Sequence, residues 1–126
     1  MITSRTSLIA AALSSLGLAH PAAAAGDATN GEKVCRKCMA CHSAEPGKNK
    51  VGPSLFGVVG RTSGTVEGFK YSDAMKNAGI VWGEDTLDEY LADPRGVVPK
   101  TRMAFPGLKD AQDREDVIAY LESLHS

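Results

Sequence analysis

The chain has 126 residues, with 14 basic side chains against 15 acidic ones. That length suits one ordinary domain and is too short for two. Balanced charge without a basic run argues against nucleic-acid binding, and a single stretch, at the very start, is apolar enough to concern a membrane.

In that first stretch Arg5 supplies a positive start, Leu8 to Ala19 an apolar run, and Pro21 with Ala22 to Ala25 a small-residue ending. This is the layout of a cleaved secretory signal peptide. A membrane anchor needs about 20 apolar residues, whereas this run contains two serines and stops sooner. Cleavage is expected between Ala25 and Gly26, which makes residues 1–25 the signal peptide and residues 26–126 an exported domain. Loss of Arg5 leaves 13 basic residues against 15 acidic ones, a net charge of −2. No later segment is apolar enough for stable membrane insertion. The acids collect in Glu84 to Glu89 and Asp110 to Glu122, read as solvated faces.

A first helix is expected to be capped by Asp27 or Thr29 and to run through Gly31, Val34 and Cys35. A glycine- and proline-rich loop follows from Ser43 to about Phe69. So long a loop in a compact domain implies that it wraps something. Asp73 to Asn77 reads as a short helix closed by Gly79. Asp85 to Leu91 forms another, with Leu87, Tyr90 and Leu91 on one face, ended by Asp93-Pro94 because the residue before proline avoids helical backbone. Arg95 to Leu108 reads as irregular, with Pro99 and Pro106. The last helix is capped by Asp110 and carries Val117, Ile118, Leu121 and Leu124 as its apolar stripe. The fold class is therefore all-α with long loops that need something to pack around, and a large planar cofactor would serve.

All three cysteines lie between Cys35 and Cys41, beside His42. A disulfide framework would use an even number of spread-out cysteines. Cys38-Met39-Ala40-Cys41-His42 is instead C-x-x-C-H, the c-type haem attachment pattern. Two cysteines three apart on a helical turn face one side and bond both vinyl groups, while the following histidine reaches the iron. Zinc would want a second ligand cluster, and a thioredoxin-like dithiol a βαβ setting; neither is present in the sequence. The second axial position decides the chemistry, since methionine there raises the potential and suits electron transfer. Met39 lies inside the attachment turn, and Met75 in a short helix suited to core packing. Met103 sits in the proline-bracketed loop Pro99 to Pro106 and is the expected ligand. The rival class is an enzyme or gas sensor with an open position and a distal acid–base residue, for which only His125 would be available.

With these motifs in place the chain resembles the class I cytochrome c family, including the mitochondrial type and bacterial relatives serving photosynthetic or respiratory complexes. The resemblance spans residues 26–126. It is carried by Gly31-Glu-Lys-Val, Lys37 to His42, Val51 to Arg61, Gly68 to Ala74, Gly79 to Trp82, Thr86 to Leu91, Thr101 to Leu108 and Arg114 to Leu121. It implies three to five short helices and long loops around one haem c, bound covalently through Cys38 and Cys41. It also implies that the Pro53 carbonyl accepts from His42 and that Arg61, Tyr71 and Trp82 surround a buried haem propionate. Tyr90 would approach the Met103 sulfur, Thr101 would steady that loop, and Gly31 would let the first and last helices touch. The family role is a monomeric, non-enzymatic one-electron carrier, here in a bacterial periplasm. It would move electrons from a quinol-oxidising cytochrome complex to a photosynthetic reaction centre or terminal oxidase. Lys37, Lys48, Lys70, Lys76, Arg95, Lys100 and Arg102 would ring the docking edge. Three positions depart from the family pattern: Cys35 replaces a phenylalanine, Met75 an asparagine, and Lys100 a glycine.

Overall fold

The computed structural model describes residues 26–126; the expected signal peptide and its cleavage point lie outside the described residues. Five α-helices follow in order: α1 (Ala28–Val34), α2 (Asp73–Asn77), α3 (Glu84–Ala92), α4 (Pro94–Val97) and α5 (Ala111–Glu122). A 3₁₀ helix, Cys35–Ala40, continues α1 without a break. Among the described residues the only β feature is an isolated antiparallel bridge between Thr62 and Val81, so the all-α expectation holds.

Asp27, not Thr29, caps α1: its carboxylate accepts from the Thr29 and Asn30 amides at 2.9 and 3.2 Å. This satisfies donors that the first helical turn leaves unpaired. α2 keeps its expected bounds, with the Ser72 hydroxyl accepting from the Met75 amide at 3.2 Å. α3 is one residue longer at each end than its apolar pattern marks. The Thr86 hydroxyl accepts from the Gly83 amide and donates to the Val81 carbonyl, each at 2.8 Å, and so fixes its entry. The stretch after Asp93 is not wholly irregular. Pro94 breaks α3 but then starts α4, since proline fits the first helical position, and Asp93 caps that turn by accepting from the Gly96 amide at 3.1 Å.

The core is built where α1, α3 and α5 meet. Cys35, Leu87, Tyr90, Leu91, Val98, Leu108, Val117, Ile118 and Leu121 are all buried there. Leu124 lies beyond the end of α5 and packs only partly against this core. α1 crosses α5 so closely that a side chain at Gly31 would run into the Asp116 carbonyl.

Asp116 corrects the reading of the last acidic run as a solvated face. It is 3% exposed. Its carboxylate accepts from the Asp27 amide (2.8 Å), Asn30 Nδ2 (2.6 Å) and Gln112 Nε2 (2.9 Å). These bonds, led by the Asp27 amide, hold its pKa below the usual carboxylate value. A carboxylate depressed on folding stabilises the native state above its unfolded pKa, about 3.8, and that contribution disappears as pH falls through the lower folded value. Asp116→Asn is therefore expected to lower the denaturation midpoint at pH 7, because an amide N–H₂ would then face donors. The gap to the wild type should close below about pH 3.8; pH-dependent denaturation of both proteins measures it.

Candidate functional site

The 3₁₀ geometry sets out the attachment run. In such a helix side chains three apart eclipse one another, so Cys35, Cys38 and Cys41 form one row that goes from core to surface: buried, half-buried and exposed. Cys41 is the cap residue of this turn, and the Cys41 and His42 amides both donate to the Cys38 carbonyl, at 3.1 and 2.9 Å. All three thiols are unpaired as cysteines.

Cys35 is 1% exposed within the apolar core. Hydrogen bonding to Cys38, together with burial, pushes its thiol pKa far up, so it is a neutral core group rather than a reactive one. Among the described residues no three His, Cys, Asp or Glu side chains converge as a metal-binding cluster.

His42 is held from two sides. Its Nδ1 donates to the Pro53 carbonyl at 2.7 Å. Gly52 lies flat against the ring, where any side chain would overlap the imidazole. The Gly52 amide donates to the Cys41 carbonyl at 2.7 Å, which ties this loop to the attachment turn. Burial, only partly offset by the Pro53 bond, lowers the His42 pKa. The ring is thus neutral with its proton on Nδ1, and the Nε2 lone pair is left as the donor atom.

The long loop runs on from this histidine. Arg61 Nη2 donates to the Ser54 carbonyl at 2.9 Å and Nη1 to Phe56 at 3.4 Å. Residues 60–63 pair with residues 80–82: the Gly60 amide donates to Trp82 O at 2.7 Å and the Trp82 amide to Arg61 O at 2.9 Å. Arg61 and Trp82 are therefore neighbours through their backbones. Tyr71 is half-buried; its hydroxyl accepts from the Val66 amide at 3.1 Å and its ring meets Phe69 edge-on. Trp82 is buried against Tyr90, with ring centroids 4.9 Å apart.

Tyr90 links this group to the second sulfur. Its hydroxyl lies 3.3 Å from Thr101 Oγ1 and donates to Met103 Sδ at 3.9 Å. Thr101 Oγ1 also accepts from the Met103 amide at 3.3 Å. Burial raises the Tyr90 pKa, so it remains a hydroxyl donor. Met75 is half-buried on α2 and packs against the core. The structure thus groups His42 with Pro53, and Arg61 with Trp82, Tyr90, Thr101 and Met103; Tyr71 is held at the edge of the long loop. Ser54 and Gly52 escaped sequence reasoning, since neither residue type marks a contact eleven or fewer positions away.

The donor set is two thiols three residues apart, an imidazole with a free Nε2, and a hydrogen-bonded thioether. This set fits a c-type haem, and close contact with Gly52 together with the Pro53 hydrogen bond steadies the imidazole. The family model for cytochrome c matches residues 28–125. The chain belongs to the class I cytochrome c family. It is 53% identical over 105 residues to cytochrome c2 of Blastochloris viridis, covering 82% of this chain and 83% of that one. It is 50% identical over 100 residues to cytochrome c of Euglena viridis, covering 79% and 98%. Among solved structures it resembles cytochrome cH from Methylobacterium extorquens, with a TM-score of 0.75 and 47% identity over 78% of this chain and 99% of that one. As a cytochrome c it carries one covalent c-type haem and acts as an electron carrier rather than an enzyme.

Lys100 has a backbone conformation that glycine adopts more readily. It follows Pro99 in a turn closed by the Thr101 amide on Val98 O (3.0 Å), and its φ is +69°. That is the left-handed region glycine favours at this turn position. Lys100→Gly should raise unfolding stability by about 1 kcal/mol, the usual order of the side-chain penalty there; chemical denaturation measures it. For Cys35, a thiol-alkylating reagent should modify no site in the native haem-loaded protein and one site in denaturant, as counted by mass spectrometry.

Proposed function

We propose that this cytochrome carries one electron at a time with a haem attached through Cys38 and Cys41 and ligated by His42 and Met103. The observation that carries the reading is the Tyr90 hydroxyl donating to Met103 Sδ while Thr101 holds the Met103 amide. A thioether so restrained is ready to serve as a fixed ligand. Bound by these residues, the haem supplies a one-electron iron couple whose potential a methionine ligand raises.

The chain's own part is to keep that environment constant. The Pro53 carbonyl holds the His42 proton, fixing the tautomer and raising the basicity of Nε2. Arg61 and Trp82, paired through their backbones, and Tyr71 offer donors to a propionate that would otherwise be costly to ionise away from water. Cys35 stays out of the attachment because it is buried in the core and Cys38 is followed by Met39, not histidine. Held by these contacts, His42 and Met103 would not need to move as a bound haem changed charge, which would keep reorganisation small.

Docking uses the basic face. Lys37, Lys70, Lys76, Arg95, Lys100 and Arg102 are exposed and lie outside the ion pairs found among the described residues, whereas Lys48 is paired with Glu45 at 3.5 Å. The free cations steer the protein to acidic membrane complexes: a quinol-oxidising complex on one side, a reaction centre or terminal oxidase on the other. Export to the periplasm as a monomer fits this role. Gly26 belongs to the folded domain, because it packs so tightly on the Glu115 carbonyl that no side chain fits, and cleavage between Ala25 and Gly26 would keep that contact. No described helix is long and apolar enough to cross a membrane.

Optical spectra test the ligation. Low-spin ferrous bands and a methionine-to-ferric-iron charge-transfer band are expected, the latter lost in Met103→Ala and kept in Met75→Ala. High-spin spectra that respond to carbon monoxide would instead point to a sensor or enzyme. Association with an isolated quinol-oxidising complex should slow by about tenfold or more when Lys37 and Lys76 are changed to Glu, and it should slow with added salt. Rates indifferent to both would remove the docking proposal.

A further inference from the structure

The segment after Met103 is stapled to two helices at once. The Leu108 amide donates to the Leu91 carbonyl at 2.7 Å, at the end of α3. Gly107, with φ +115°, lies so close to the Ala92 carbonyl that a side chain would overlap it. Lys109 Nζ bridges the Ala92 and Pro106 carbonyls at 3.0 and 3.2 Å. From α5, Arg114 Nη1 donates to the Leu108 carbonyl at 2.8 Å and the Lys109 carbonyl at 3.2 Å, while its Nε pairs with Asp88 of α3 at 2.8 Å.

We infer that Arg114 is a positioning residue for Met103, because it locks the downstream end of the Met103 loop to α3 and α5 together. The inference rests on the reading of Met103 as the axial ligand. The upstream end is held by the Thr101 turn and by buried Val98. The downstream end is held by contacts to other elements, and there the guanidinium is the one α5 side chain bonded to the loop among the described residues. Its geometry suits the task. A planar fork engages two carbonyls and a carboxylate at once, which a lysine ammonium on a flexible stem does not reproduce. The ion pair is also partly sheltered, with 15% of the Arg114 and 47% of the Asp88 side chain exposed, so it resists screening better than a fully solvated pair.

Loosening this staple should populate a form in which Met103 has left and an outside ligand enters. The test is a titration of the ferric haem-loaded protein with imidazole, in wild type, Arg114→Lys and Asp88→Asn, alongside denaturation midpoints of the same samples. Arg114→Lys should bind imidazole about tenfold more tightly, the factor that about 1.4 kcal/mol represents, with a weaker charge-transfer band and a smaller effect in Asp88→Asn. A lowered midpoint with unchanged imidazole affinity in both variants would reduce Arg114 to a general stabiliser and overturn the inference. If Arg114→Lys does not fold, Asp88→Asn decides alone: unchanged affinity there counts against the staple. Met103→Ala separates the two levels. A charge-transfer band that survives in it removes the ligand reading, whereas a band lost there with wild-type imidazole affinity in the staple variants removes only the inference.

Discussion

The crossing of α1 over α5 is the constraint on which the rest of the molecule depends. Two long loops, residues 43–69 and 98–109, cannot supply a core of their own; they need a rigid frame whose ends are joined. Gly31 lets the helices approach to backbone contact. Asp116 then uses its carboxylate to gather a backbone amide and two side-chain amides at that contact. A buried carboxylate is costly unless its acceptor sites are filled, and here donors from both helices fill them. Apolar burial gives this joint its strength, while the hydrogen bonds fix which residue meets which.

From that frame a chain of specific contacts runs around the site. The attachment turn grows out of α1, and Gly52 and Pro53 set the His42 ring. Ser54 and Phe56 receive Arg61, whose backbone pairs with Trp82. Trp82 packs at a tilt against Tyr90, and Tyr90 reaches Met103. Segments from one end of the domain to the other thus position two side chains, the imidazole and the thioether. An electron carrier needs such a fixed surrounding, because any side chain that shifts with iron charge adds to the barrier for transfer.

Much of this was legible in the residues. C-x-x-C-H identifies its cofactor because the spacing is dictated by the chemistry, and Asp27 and Asp110 declare helix starts by their capping ability, whereas the Ser72 cap of α2 was not read from the sequence. α4 was hidden because Pro94 serves both as breaker and as starter, and only the backbone shows the second role. Asp116 was hidden among neighbouring acids: its burial depends on a glycine 85 positions earlier, which no local pattern records. Arg114 and Gly52 were missed for the same reason, since their partners are backbone carbonyls and a ring face. Of the three departures from the family pattern, Cys35 lies in the core, Met75 packs against it, and Lys100 takes a left-handed backbone of the kind glycine favours.

The most direct test of the account is the methionine-methyl NMR spectrum of the reduced haem-loaded protein, with the methionine methyls labelled with ¹³C. A methyl group bonded through sulfur to the iron lies over the porphyrin face and is shifted far upfield by its ring current. The account predicts one such signal, absent in Met103→Ala and present in Met75→Ala. An upfield methyl that disappears with Met75 instead, or no upfield methyl at all, would contradict the claim that this fold exists to hold His42 and Met103 in place.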